Sequence, residues 1–348
     1  MKTQSGSSLE GLARDLARDL TIGGRQARHG EFVRRITSVR NTMAAVARTL
    51  SAAKDGAPSG AAEWLIDNRY IVMAALKQVE RDMPSRFLSR LPTTGAAREP
   101  RISLLAGTIS NHSEGHVEPD TALRFLDGYQ RVSELTTAEL WALPTFLRLA
   151  VLEDLATQCT EIVRPGAPSS DAQARLHDRV AACIGSLRIF ATHDWKVFFE
   201  SASLVERRLR EGDPSGVYVR MDFATRDAYR TIIETVARRT GTPESRVAEL
   251  ALQRAASDEC PSGHVGFALQ DQGIALEGDL GYEPPVWAQA VRSLKRAKPA
   301  AYFLGILLGA AALTVGIALP LSEDPGMALA AFVVGFIPAL SVSVSVVN

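Results

Sequence analysis

Apolar positions recur along this chain at steps of three and four far more often than at steps of two, which is the pattern of helices. Phe32, Ile36, Val39, Met43, Val46 and Leu50 form the clearest seam, suited to a bundle core or to a contact with a partner helix. Leu12, Leu16 and Leu20, in the near-repeat LARDLARDL, make a narrower stripe and predict a marginal helix. Trp64, Leu65, Ile71, Val72, Leu76 and Val79 predict one helix over 61–83, stopped by Pro84, and 91–98 reads as a loop. Thr136 and Glu139 stand at capping-box spacing ahead of Leu140, Trp141, Leu143, Phe146, Leu147, Leu149, Val151, Leu152 and Leu155. Those side chains cover most of the circumference, so a helix over 136–157 is expected at the centre of the domain with Trp141 in its core. Pro144 removes one of its ladder bonds.

Pro165, Gly166 and Pro168 mark a linker, and a helical region over 171–210 follows, restarted near Thr192 or Asp194. Asp213-Pro214-Ser215-Gly216 is a turn signal, 222–239 another helix, and Thr242-Pro243-Glu244 opens one more. The short runs 264–269 and 274–276, split by Gln270-Asp271-Gln272-Gly273, predict a β-hairpin.

Residues 300–321 and 327–347 carry no charge and predict two transmembrane helices. Arg292, Lys295, Arg296 and Lys298 precede the first, whereas Glu323 and Asp324 lie between the two, so the long N-terminal region is expected in the cytoplasm. Val286, Trp287, Ala290, Val291 and Leu294 give an amphipathic helix whose basic residues suit anionic membrane lipids. The expected architecture is mainly α. A cytoplasmic helical domain (1–257) leads into a β-hairpin and basic juxtamembrane helix (258–299), then transmembrane helices at 300–321 and 327–347.

Composition narrows the chemistry. Lys plus Arg and Asp plus Glu both total 39, which gives no global attraction for nucleic acid. Cys159, Cys183 and Cys260 are widely spaced and lack a CxxC pattern, as free thiols in a reducing compartment would. The opening MKTQSGSSLEGLARDL has no apolar h-region, so targeting is expected from the C-terminal segment. No phosphate loop, GxSxG elbow, HExxH, GxGxxG, DxD or QxxRW signature occurs, and no catalytic, cofactor-binding or metal-ligating residue is assigned. His112 and His116 flank Glu114 at a ligand-like spacing, but Gly115 and Pro119 favour a solvated loop there. Glu63, Asp67 and Asn68 are either a paired acid and base or the caps and ion-pair partners of neighbouring helices. Arg220, Asp222, Arg226 and Asp227 form a dense charged patch, read as an ion-pair network with Asp222 as an N-cap.

Longer motifs carry a resemblance. Glu63-Trp64-Leu65-Ile66-Asp67-Asn68, Tyr129-Gln130, Leu135-Thr136, Glu139-Leu140-Trp141-Ala142-Leu143-Pro144 and Leu147-Arg148-Leu149-Ala150 form the first set. Trp195-Lys196-Val197-Phe198-Phe199-Glu200, Ser203-Leu204-Val205-Glu206, Asp213-Pro214-Ser215-Gly216-Val217-Tyr218 and Met221-Asp222-Phe223-Ala224-Thr225-Arg226-Asp227 form a nearly continuous second, extended by His264-Val265-Gly266. Together they resemble the N-terminal region of bacterial cyclic β-1,2-glucan synthases over about residues 60–348. The resemblance implies an inner-membrane enzyme that uses UDP-glucose and a divalent metal, both acting in regions beyond the matching one. It further implies an assembly and membrane-anchoring role for this chain, packed against a downstream glycosyltransferase domain, and inactivity of the chain alone. The alternative is a stand-alone membrane-tethered helical protein with an interaction or regulatory role.

Overall fold

The computed structural model describes residues 8–23, 27–52, 60–95, 98–164, 169–257, 263–319 and 325–347; the side chains of 52, 270–273, 292, 294–301, 317–318, 325, 328 and 346–347 lie outside that description. Cys260, the Pro165–Pro168 linker and the acidic residues Glu323 and Asp324 fall outside it as well. Two compact units are formed, Met1–Leu280 and Gly281–Asn348.

In the first unit the helices are α1 (Leu9–Asp19), α2 (His29–Ala52), α3 (Gly60–Asp67), α4 (Arg69–Asp82), α5 (Ser85–Leu88), α6 (Arg101–His112), α7 (Pro119–Gln130) and α8 (Thr137–Ile162). They continue with α9 (Ser170–Thr192), α10 (Trp195–Ala202), α11 (Leu204–Gly212), α12 (Phe223–Thr240), α13 (Glu244–Ala255), α14 (Val265–Ala268) and α15 (Gln270–Asp279). Three two-residue strands, β1 (Ile22–Gly23), β2 (Thr93–Thr94) and β3 (Glu99–Pro100), pair antiparallel in that order, with Ile22 opposite Thr94 and Thr94 opposite Glu99.

Helix α8 is central because its sequence leaves it no polar face. Leu140, Leu143, Phe146, Leu147, Val151, Leu152, Leu155 and Cys159 are all buried, and α2, α4, α6 and α9 pack around it. Thr136 and Glu139 form the expected capping box, which satisfies first-turn N–H groups at a buried helix start. The α2 seam is intramolecular: Phe32, Ile36, Val39, Met43 and Val46 face the core and Phe32 meets Phe146 edge-on at 5.7 Å. Helix α1 docks through Ala13 and Ala17 more than through its leucines, which are only partly buried. It approaches α7 at Gly128, where a Cβ would stand 3.0 Å from the Glu10 Cα. A smaller cluster gathers Val205, Leu209, Tyr218, Ile233, Val236, Val247, Ala251, Val265 and Leu276 between α11 and α15.

Several sequence expectations are corrected. The proposed β-hairpin over 264–276 is α14 and α15, and the strands lie instead at 22–23, 93–94 and 99–100. The reason is visible in the burial: Val265, Ala268, Leu269 and Leu276 point inward at helical steps, a rhythm that two short apolar runs conceal. The single helix over 61–83 is broken at Asn68, which stands just before α4 without a side-chain cap bond, and Trp64 is 37 % exposed instead of buried. Helices α6 and α7 occupy a stretch for which no helix is expected.

The second unit is a pair of packed helices, α16 (Val286–Ala318) and α17 (Pro325–Val347). Small side chains form their seam: Ala310, Thr314, Ala339 and Ser343 are buried, and a Cβ on Gly309 would lie 2.9 Å from Ser343 Oγ. Phe303, Leu304, Leu308, Val333, Val334 and Ile337 are exposed. Among the described residues no helix is long and apolar enough to cross a membrane, which overturns the transmembrane hairpin.

Candidate functional site

The motif-rich segment 195–230 folds into a closed ionic cluster. Asp194 caps α10, Ser203 caps α11 and Asp222 caps α12, each through its side-chain oxygen, so three short-linked helices start where the sequence places an N-cap residue. Their order turns Glu200 and Glu206 toward Arg226 and Arg230, which lie one turn apart on α12. Arg230 is fully buried; its Nη1 donates to Glu206, its Nη2 donates to Asp227 at 3.2 Å, and its guanidinium sits 5.0 Å from the ring centres of both Phe199 and Phe223. Arg226 donates to Glu200 at 2.6 Å and to the Met221 carbonyl at 2.6 Å. Arg210 reaches Glu206 at 2.6 Å and Glu200 at 2.8 Å, and the Tyr218 hydroxyl donates to Glu206 at 2.6 Å. Trp141 of α8 stacks on Phe199 at 4.5 Å and meets Phe223 edge-on at 6.1 Å, joining the cluster to the central helix.

Burial alone pushes the Glu206 carboxyl up, but hydrogen bonds from Tyr218 and Arg210 and the charge and hydrogen bond of Arg230 outweigh it, holding the group below its usual range. Burial and the ionised Glu206 push the Tyr218 phenol up. The cluster is therefore a set of matched ions in which Arg230 Nε alone is buried without a hydrogen-bond partner among the described residues, and its two carboxylates are engaged by arginines and Tyr218.

Beside it, Asp213 ties a turn together. Its carboxylate accepts from the backbone N–H groups of Val217, Tyr218 and Val265 at 2.9–3.0 Å and from Ser215 Oγ at 2.8 Å. Burial raises the Asp213 pKa and these bonds lower it by more, so the group stays ionised. Ser215, His264 and Asp213 superficially make a nucleophile relay. In a relay the serine and the carboxylate use opposite ring nitrogens; here Ser215 Oγ and Asp213 Oδ1 both lie 3.4 Å from His264 Nδ1, and Tyr229 Oη is 3.3 Å from Nε2. The arrangement clasps a turn. Gly266 permits it, because a Cβ there would fall 2.4 Å from Tyr229 Oη.

The residues singled out from sequence are dispersed. Arg220 is exposed, Asp222 is an exposed cap bonded to Thr225, Arg226 belongs to the ionic cluster, and Asp227 holds Arg230 from its edge. Glu63 and Asp67 are exposed, while buried Asn68 donates to the Trp64 carbonyl at 2.7 Å and accepts from Arg188 of α9. His112 ends α6 and His116 lies in the following loop, both exposed. Sequence reasoning missed Glu200, Glu206 and Arg230, although Ser203 and Glu206 have capping-box spacing and Arg226 and Arg230 have helical spacing. It also missed the buried Arg101–Glu139 pair, bidentate at 2.6 and 2.7 Å, and Glu244, which accepts from Thr137 at the start of α8.

A cavity of about 880 Å³ forms a groove between the loop 113–116, the end of α8 and α9. Arg164, Arg175 and Arg179 line it together with Glu114, Glu161 and Asp178, mixing both signs of charge. Below it Cys159 and Cys183 are buried, and burial pushes the Cys159 thiol up to about 12, far from a reactive thiolate. Among the described residues no three His, Cys, Asp or Glu side chains converge as a metal site. Glu200 and Glu206 are spent on arginines, so they do not fit a divalent cation or the diphosphate it would carry, and no transfer step is routed through them.

No family model matches the chain. Its sequence is 29% identical over 357 aligned positions to the cyclic β-(1,2)-glucan synthase NdvB of Rhizobium meliloti (strain 1021), covering 78% of this chain and 12% of that protein. The likeness relates this chain to the glucan synthases, and the chain spans only about an eighth of its relative's length.

Proposed function

We propose that the chain is a non-catalytic assembly portion of a cyclic β-1,2-glucan synthase of the bacterial inner membrane, corresponding to that enzyme's N-terminal region. The helical unit packs against the glycosyltransferase part, which supplies UDP-glucose binding, the divalent metal and the acceptor base. The observation that carries this reading is the fate of the motif residues. Glu200, Glu206, Tyr218 and Arg226 are tied to one another and to Arg230 inside the fold, which suits residues kept for a rigid frame and not residues that meet a substrate.

The reading is tested by expressing the chain apart from the remainder of a related synthase and mixing the two. Co-elution, with glucan synthesis from UDP-glucose rising when the chain is added, is the expected result. Separate elution together with unchanged synthesis contradicts it.

A further inference from the structure

Phe32 and Arg35 of α2, Leu88 of α5, Arg98, Pro100 and Phe146 line a second cavity of about 480 Å³. Its polar lining is Arg28, Glu31, Arg35, Arg98 and Glu99. Three of these charges are already committed. Arg35 binds Glu153 at 2.6 and 2.7 Å and Glu99 at 3.1 Å, and Glu31 is held by Arg34. Arg28 and Arg98 have no carboxylate within ion-pairing distance among the described residues, and Arg98 Nε is shielded from solvent with no hydrogen-bond partner. With the paired neighbours counted, the site keeps one net positive charge.

The backbone singles out Arg98. Arg98 directly precedes β3 and stands at φ +56°, the left-handed region. Glycine meets that demand without strain, and an arginine there holds a disfavoured conformation. Strain retained at a cavity wall, on a guanidinium whose inner donor is unmet, is the signature of a side chain positioned for something outside the chain. Two guanidiniums facing one cavity suit an oxyanion with several acceptor oxygens, and phosphate offers more of them than a carboxylate.

We infer that this cavity is a binding site for a phosphoryl group, with Arg28 and Arg98 as its ligating side chains. It is separate from the ionic cluster at 195–230 and does not depend on the assembly role proposed above. Two charge-assisted contacts in a half-open site predict a dissociation constant of the order of 1 mM for inorganic phosphate, weakening as sodium chloride is raised.

The test is calorimetric titration of the full chain with inorganic phosphate against sodium chloride at equal ionic strength, alongside Arg98→Gly, Arg28→Gln and, as a control in the distant groove, Arg164→Gln. Arg98→Gly relieves the turn, so its melting temperature is expected to match or exceed that of the parent chain while phosphate affinity falls at least tenfold. Arg28→Gln should lose affinity similarly, and Arg164→Gln should keep it. No binding by the parent chain, or affinity within threefold of the parent in Arg98→Gly, overturns the site.

Discussion

Glu244 gives the sharpest energetic forecast. It stands in the first turn of α13, only 8 % exposed, with its carboxyl oxygens accepting from Thr137 N at 2.9 and 3.1 Å and from Thr137 Oγ1 at 2.6 Å. Burial pushes its pKa up from 4.5 to about 7; the Thr137 bonds oppose that rise, and the charges of Glu234 and Glu139 add to it. A folded-state pKa above the unfolded one means that the native state binds the proton more tightly, so the protonated group contributes its full stabilisation below about pH 4.5. That stabilisation is lost as the pH rises through 7. The displacement corresponds to about 3 kcal/mol. Glu244→Gln mimics the protonated acid at every pH. It is therefore expected to match the parent near pH 4.5 and to exceed it by about 2–3 kcal/mol at pH 8, in urea unfolding of both proteins across that range. Taking the difference between the two cancels every other titrating group. The opposing force is the pair of helix starts: the first-turn N–H groups of α8 and α13 favour an ionised carboxylate. If Glu244→Gln is destabilised by the same amount at pH 4.5 and pH 8, those dipoles dominate and the reasoning from burial fails.

Arg230→Met should cost about 3–5 kcal/mol, because Glu206 is left with a buried charge and one cation fewer; thermal unfolding of the variant checks this, and a loss under 1 kcal/mol refutes the matched-ion account. Trp141→Ala should cost about 2–3 kcal/mol, below the cost at a fully buried tryptophan, since the side chain is only partly buried yet its ring stacks on Phe199; an unchanged melting curve would remove Trp141 from the frame. Gly128→Val should release α1 from α7 while leaving the rest folded, seen as new protease cleavage within residues 9–19 and little change in helical signal elsewhere; protection equal to the parent's would deny the close approach.

How much of this was legible in the sequence follows from how local each signal is. The α2 seam, the Thr136–Glu139 box and the apolar circumference of α8 depend on neighbours a turn away, and each appears where the pattern places it. Asp222 as a cap is equally local. The break at Asn68 is not, because it rests on Arg188 arriving from α9 to take the Asn68 oxygen. The ionic cluster was visible only at its rim: Arg226 and Asp227 stand out as charges, whereas Glu206 and Arg230 look like ordinary polar positions on amphipathic helices until α11 and α12 are brought face to face. Residues 264–276 misled because their apolar runs are too short for period two and period 3.6 to separate. Arg98 carries no sequence signal at all, since a left-handed arginine is a property of the folded backbone.

The central claim is that this chain frames a synthase without performing the transfer. Its most direct test is incubation of purified residues 1–348 with radiolabelled UDP-glucose and either magnesium or manganese, followed by separation of protein, glucan and nucleotide. The account predicts no label in glucan and none on the chain. Label in either fraction, with no other synthase present, would contradict it.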